Sequence, residues 1–154
     1  MKEITLKEWS AYLPYGLICE VKDQGGIETD TLFGVYDNKE LVFHNIVESH
    51  QGFESVKPIL YDLSWLTREI THKGESFIPI EKFEIGDDDS GIEYDHGNIR
   101  LIKDLESISK YNSYHDIQFL PFEVVQRLIE WHFNVFNLPD ELIVRVSEDF
   151  NPYK

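Results

Sequence analysis

The chain of 154 residues has little of several features that mark common protein classes. Its single cysteine excludes an intrachain disulfide framework and a four-cysteine zinc site, and it fits a reducing compartment. No run approaches the roughly 20 apolar residues that span a bilayer, and the charged first ten residues lack the apolar stretch of a signal peptide. We therefore expect a cytoplasmic protein that has no membrane partner.

Basic side chains are also few: 14 Lys and Arg stand against 29 Asp and Glu, which gives a formal net charge of −15. Binding of nucleic acid depends on Lys and Arg, so we expect no direct nucleic-acid partner. The acid excess is greatest between residues 84 and 95, which hold six acids and no base: Glu84, Asp87, Asp88, Asp89, Glu93 and Asp95. This acidic surface has two interpretations, a solvated face or one that imitates a nucleic acid and docks on a basic partner.

The pattern of apolar and polar residues predicts a single α+β domain over residues 1–154. A small antiparallel sheet from the N-terminal half is expected to pack against a C-terminal helix of about 121–136, whose apolar stripe includes Phe122, Val125 and His132. Pro58 favours an edge position or a strand start over a central strand position. Strands are predicted over residues 17–22, 29–36, 41–45, 55–61, 99–102 and 142–146.

Other local signals predict shorter helices. Thr5 and Glu8 form a capping box ahead of a helix that runs to Tyr12. Ser64 is expected to cap a helix that runs to Ile70, with residues 71–74 as its exit. Pro79 either opens a helical turn or lies in an extended segment, residues 86–97 form a loop by composition, and residues 104–110 are weakly helical.

Sequence motifs for catalysis and metal binding are absent: the chain has no H-E-x-x-H, C-x-x-C, G-x-G-x-x-G, Walker A or G-x-S-x-G pattern. An EF-hand with Gly91 at its sixth position has glycine at its first and twelfth positions, where acidic ligands are needed. We therefore predict no catalytic residue, no metal and no cofactor. Cys19 shares one strand face with Leu17 and Val21, which favours a core residue over a nucleophile.

Three residues are candidates for binding, namely Trp65, Trp131 and His132. The tryptophans are possible interface anchors. His132 is expected to be a hydrogen-bonded core histidine, and a role in a ligand pocket is the alternative.

Several segments together resemble a family of small uncharacterised proteins from phage and prophage genomes of gut-type bacteria. They are residues 13–17 (LPYGL), 57–60 leading into 63–70 (LSWLTREI), 74–80, and 128–133 (LIEWHF) followed by Val135 and Phe136. The sequence departs from that pattern at Trp65, where a polar residue is expected, and at Asn137, where glycine is expected. The resemblance implies a bacterial host cell and brings with it no established activity, catalytic residue or cofactor.

The leading hypothesis is therefore a phage-type accessory protein that acts without catalysis by binding another protein. One alternative is an acidic nucleic-acid mimic that blocks a nucleic-acid-binding host protein. The other is a small-molecule binder or enzyme that uses His132, so the sequence leaves catalysis open. A homodimer through the exposed side of the 121–136 helix is a further possible assembly.

Overall fold

The computed structural model describes residues 3–46, 51–84 and 98–154, and it has the expected α+β class. The chain divides into two compact units, which we describe separately. The sheet unit comprises Met1–Leu60 and Phe136–Pro152, and the helical unit comprises Tyr61–Val135 and Tyr153–Lys154. This division does not test the prediction of a single domain. No helix among the described residues is both long and apolar enough to cross a membrane.

The sheet unit contains helix α1 (Leu6–Tyr12) and one six-stranded sheet. The strands of this sheet are β1 (Ile18–Asp23), β2 (Gly26–Tyr36), β3 (Glu40–Phe43), β4 (Gln51–Gly52), β5 (Val56–Leu60) and β8 (Val144–Arg145). Their order in the sheet is β4-β3-β2-β1-β5-β8. Neighbouring strands pair antiparallel, except that β5 and β8 are parallel.

Alternation along β1 sends every second side chain into the core, as the sequence predicts. Leu17, Cys19 and Val21 are fully buried. Burial raises the pKa of the Cys19 thiol well above its ordinary value, and the nearby Asp30 carboxylate adds to this effect. Cys19 is therefore held as a neutral core thiol.

Asp30 is buried, and its carboxylate binds the backbone of the residues that follow β3. Its two carboxylate oxygens accept the backbone N–H groups of Thr31, Asn45 and Ile46 at 2.7–2.8 Å, and also the Asn45 amide at 3.1 Å. Several hydrogen bonds to one carboxylate offset the cost of burying it.

The prediction that Pro58 lies at an edge position or a strand start is wrong, because Pro58 is the third residue of β5, which lies between β1 and β8. Pro58 is opposite Cys19 of β1, whereas the pairing with β8 begins only at Ile59. The short β8 thus leaves Pro58 outside its ladder, so the missing N–H is tolerated on that side.

The capping box at the start of α1 is confirmed. The Thr5 hydroxyl accepts the Glu8 N–H at 3.3 Å, and the Glu8 carboxylate accepts the Thr5 N–H at 2.8 Å. Two N–H groups that the first helical turn would leave unsatisfied are therefore paired.

The helical unit contains four α-helices, one short 3-10 helix and one hairpin among its described residues. Pro79 opens the first α-helix, which confirms the helical one of its two interpretations. The elements are β6 (Ile70–His72), β7 (Glu75–Phe77), α2 (Pro79–Glu84), α3 (Asn98–Tyr111), α4 (Tyr114–Ile117) and α5 (Phe122–Glu130).

Helix α3 replaces the strand predicted over residues 99–102. Leu101, Leu105 and Ile108 are buried, and their spacing places them on one face of a helix. The short apolar run at 99–102 is therefore the first turn of a helical stripe, and the helix predicted over 104–110 is confirmed as part of α3.

The helix predicted from Ser64 to Ile70 is also wrong in extent. Asp62, rather than Ser64, is the N-cap, and its carboxylate accepts the Ser64 N–H at 2.8 Å at the start of a short 3-10 helix, Leu63–Thr67. Residues 71–74, predicted as a helix exit, instead lie in the β6–β7 hairpin. Lys73 and Gly74 both have positive φ (50° and 80°), which is the geometry of a type I′ hairpin turn.

Helix α5 ends at Glu130, six residues before the predicted end of the 121–136 helix. His132 has a φ of 66°, its N–H donates to the Ile129 carbonyl, and the Phe133 N–H donates to the Leu128 carbonyl. These two bonds around a left-handed residue form a Schellman motif. The helix is therefore closed by His132 itself, a residue that the sequence pattern placed within the helix.

Candidate interaction surface

The three residues selected from the sequence, Trp65, Trp131 and His132, all lie in the interior of the helical unit. Their exposed fractions are 9%, 4% and 2%. The Trp65 ring meets the Tyr61 ring edge-on at 5.6 Å, and the Arg68 guanidinium lies 3.8 Å from the Trp65 ring centre. This burial gives no support to exposed interface anchors, and binding at these residues stays a prediction.

Trp131 lies among the side chains that close the end of α5. Its ring is 5.0 Å from the Phe77 ring and 5.7 Å from the Phe83 ring. Arg127 approaches the same ring at 5.6 Å and pairs with Glu130 at 3.3 Å. Trp131 therefore contributes to the packing of β7 and α2 against the helix.

His132 is buried, as expected, although it lies beyond the helix rather than on its stripe. That its ring is hydrogen-bonded in the core stays a prediction. Its ring stacks on Tyr153 with centres 4.2 Å apart and planes 11° apart, and the His72 ring is 5.7 Å away. A ring this deeply buried offers no open face to a substrate, so the structure gives no support to a pocket at His132.

His72 is the more exposed of the two histidines, and its Nε2 atom is buried without a hydrogen-bond partner among the described residues. Burial lowers the pKa of His72, and the positive charges of Lys73 and Arg127 lower it further, against the opposing pull of Glu130 and Glu75. The two histidines do not make a metal centre: in the part of the chain that the structure describes, no group of three or more His, Cys, Asp or Glu residues could hold an ion.

The acidic surface predicted from the sequence falls almost wholly outside the described residues. Asp87, Asp88, Asp89, Glu93 and Asp95 belong to residues 85–97, which the structure does not describe. Glu84 is the last residue of α2. The choice between a solvated face and a mimic of nucleic acid therefore stays open.

A small cavity lies beside α3 in the helical unit. Its volume is about 230 Å³, and it is lined by Arg100, Asp104, Ser107, Asp116, Phe119 and Leu120. The three lining residues from α3 recur at positions i, i+4 and i+7, which places them on one face of the helix. Tyr111, one turn further along, continues that face.

Segment 113–120 supplies the other wall of the cavity and is held by consecutive turns. Asn112 ends α3 with a φ of 53°, and the Ser113 N–H donates to the Ile108 carbonyl at 3.2 Å. The Phe119 N–H then donates to the Asp116 carbonyl at 3.1 Å. Buried Ile117 anchors α4, so Asp116 and Phe119 are left at the surface beside α3.

Three large aromatic side chains of this region are exposed. Tyr111, Phe119 and Phe122 have exposed fractions of 67%, 73% and 74%. Phe119 lines the cavity, and its ring meets the His115 ring edge-on at 5.5 Å. We refer to Tyr111, Phe119 and Phe122, together with the cavity, as the aromatic surface.

The exposure of Phe122 corrects the predicted stripe of the last helix. Val124 and Leu128 are the buried residues of α5, whereas Phe122 points away from the core. Sequence reasoning missed every residue of the aromatic surface, because it assigned Phe122 to the core and did not extend α3 back to Arg100. The recurrence of Arg100, Asp104, Ser107 and Tyr111 at helical spacing was the signal that could have found one wall.

The aromatic surface has acidic and aromatic groups and one cation. The cavity is lined by two carboxylates, those of Asp104 and Asp116, and by one guanidinium, that of Arg100. Among the described residues, no ion pair involves either carboxylate. Two carboxylates, a guanidinium and an aromatic ring are groups that can recognise a partner by charge and by aromatic contact. No family model, curated protein or solved structure matches this chain.

Proposed function

We propose that this protein is a non-catalytic module that binds another protein through the aromatic surface. In line with the segments that resemble phage and prophage proteins, the proposed setting is the cytoplasm of a bacterial host cell, and the proposed role is that of an accessory protein. The partner proposed is a protein, with no direct contact to nucleic acid or membrane.

The observation that carries this proposal is the exposure of the Phe119 ring, which lines the polar cavity, together with exposed Tyr111 on the cavity face of α3 and exposed Phe122 at the start of α5. Single exposed apolar side chains are common, but an exposed aromatic ring at a concave site is typical of interfaces. Burial of one such ring stabilises a complex by about 1.5–3 kcal/mol. Two or three rings therefore provide a substantial part of the free energy that a specific complex needs.

The alternatives have weaker support. An enzyme that uses His132 needs an accessible ring, and this ring is 2% exposed. A mimic of nucleic acid depends on the acidic surface, which lies mostly outside the described residues. A homodimer would bring together two chains that each carry −15, and the repulsion between them disfavours self-association relative to binding of a basic partner.

Capture of partners from a bacterial lysate tests the proposal when it is done with matched variants. Wild-type protein and the double variant Phe119→Ala/Phe122→Ala are immobilised side by side. The control is Phe33→Ala. Phe33 belongs to the sheet unit and is 61% exposed, so this variant removes an exposed aromatic ring outside the aromatic surface. We expect a protein that wild type and the control both retain and the double variant loses. If the double variant retains the same proteins as wild type, the proposal is wrong.

A further inference from the structure

The cavity of the aromatic surface matches one side chain better than it matches a free small molecule. Its volume of about 230 Å³ is below the range of roughly 300–1,000 Å³ that is usual for small-molecule sites. It opens beside an exposed aromatic ring, that of Phe119. A site of this size, next to an exposed ring, is suited to hold one anchoring residue of a protein partner.

The charges in the cavity favour a cation. Asp104 and Asp116 outnumber Arg100, and the whole chain carries −15, so the electrostatic potential favours a positive group. Neither carboxylate has an ion-pair partner among the described residues, so both are available to accept hydrogen bonds. The exposed face of Phe119 adds attraction for a cation held above it.

We infer that the cavity receives an arginine side chain from a basic segment of the partner protein. The inference rests on the proposed function and names the chemistry of the partner. The guanidinium donates hydrogen bonds to the Asp104 and Asp116 carboxylates, and its plane stacks on the Phe119 ring.

Arginine fits this site better than lysine for two reasons. A planar guanidinium stacks on an aromatic face and donates to two carboxylates at once, whereas an ammonium is a compact and strongly hydrated charge. Arg100, at the wall of the cavity, repels any cation, and the weakly hydrated, delocalised guanidinium tolerates a second guanidinium better than a point charge does. Arg100 therefore increases the selectivity of the site while it lowers its affinity.

Titration of the full-length ¹⁵N-labelled protein with Nα-acetyl-L-arginine N-methylamide, followed by NMR, tests the inference. The expected shift changes are concentrated in residues 100–107 and 116–120. The citrulline analogue, which has the same shape without the charge, is expected to bind at least about tenfold more weakly, since it loses charge-assisted hydrogen bonds. The lysine analogue is expected to bind about threefold more weakly, since it loses the stacking contact with Phe119.

Variants with matched charge separate the cavity from the overall field. Asp104→Asn and Asp116→Asn are each expected to weaken binding of the arginine probe about tenfold, because each removes one charge-assisted contact. Glu106→Gln makes the same charge change at an exposed α3 residue outside the cavity and is expected to leave binding unchanged. An equal loss in all three variants would attribute binding to net charge and overturn the inference.

Three other outcomes also overturn it. The first is that the citrulline analogue binds as tightly as the arginine probe. The second is that no shift changes occur in the cavity at about 10 mM probe, a concentration that nearly saturates a site with a Kd of about 1 mM. The third is that free L-arginine binds about tenfold more tightly than the probe, which would indicate a small-molecule site. Failure of the proposed function is distinguishable. If the captured partner is lost in Phe119→Ala/Phe122→Ala but is retained in Asp104→Asn/Asp116→Asn, the arginine inference is wrong and the proposed function stands. If the arginine probe binds but no partner is lost in Phe119→Ala/Phe122→Ala, the proposed function is wrong.

Discussion

The conformation of His132 leads to an unusual ordering of variant stabilities. The residue has a φ of 66° in the Schellman motif that ends α5. A left-handed conformation costs an L-residue roughly 1–2 kcal/mol, and glycine does not bear this cost. Glycine also increases the conformational entropy of the unfolded chain, which lowers the free energy of unfolding by about 0.4–1 kcal/mol and so reduces that advantage. We therefore expect His132→Gly to be more stable than His132→Ala by about 0.8 kcal/mol, the difference between the midpoints of those two ranges.

Both variants lose the stack on Tyr153, which has a ring separation of 4.2 Å, so both are expected to be less stable than wild type by about 2–4 kcal/mol. Urea denaturation followed by circular dichroism measures the free energies of unfolding. The control pair is Gln126→Gly and Gln126→Ala at an exposed position within α5, where alanine is expected to be the more stable by about 1 kcal/mol. An alanine variant at position 132 that equals or exceeds the glycine variant would refute the left-handed assignment.

Three further predictions concern other residues. Thr5→Ala removes half of the capping box and is expected to lower the free energy of unfolding by about 1 kcal/mol, measured by urea denaturation, and unchanged stability would contradict the cap. The buried thiol of Cys19, with its raised pKa, is expected to react with a thiol reagent only as fast as the chain opens, so that labelling in native buffer as rapid as in urea would contradict its burial. The pKa of His72 in the folded protein is below its ordinary value of 6.5. As the pH falls through that value, the unfolded chain therefore binds more protons than the folded protein does, and the free energy of unfolding is expected to decrease from about pH 7 to pH 5. His72→Gln is expected to reduce this decrease, and an unchanged pH dependence would contradict the shift.

The sequence predicts those parts of the fold in which neighbouring residues are compatible with only one local structure. The Thr5 capping box, the alternation around Cys19 and the strands on either side of residues 37–39 follow from short-range rules and are confirmed. The turn at Lys73 and Gly74 shows the limit of such rules. A lysine followed by a glycine is compatible both with a helix exit and with a type I′ turn, and the pairing of Ile70 with Phe77 decides between them.

The last helix shows a second limit. Over the predicted helix of 121–136, apolar residues cover most of the circumference, so two sets of residues satisfy the 3.6-residue period, and the pattern alone does not say which set is buried. The structure buries Val124 and Leu128 and exposes Phe122. The end of the helix could not be predicted from this pattern either, because Trp131, His132 and Phe133 continue the apolar pattern past the residue at which the helix ends.

The aromatic surface could be predicted from the sequence only in part. Its α3 wall follows from helical spacing once the helix is known to include Arg100. The opposite wall depends on the turns that carry Asp116 and Phe119, and no periodic pattern places those turns beside α3. Surfaces assembled from separate elements need the tertiary structure, whereas a stripe on a single element does not.

Hydrogen–deuterium exchange on the captured complex tests the central claim most directly, that the protein binds its partner through the aromatic surface. The prediction is slower exchange in residues 100–111 of α3 and in residues 113–122, compared with the protein alone. The sheet unit around Phe33 is expected to exchange at the same rate in both states. Protection confined to the sheet unit, or to residues 85–97 with the acidic surface, would contradict the claim.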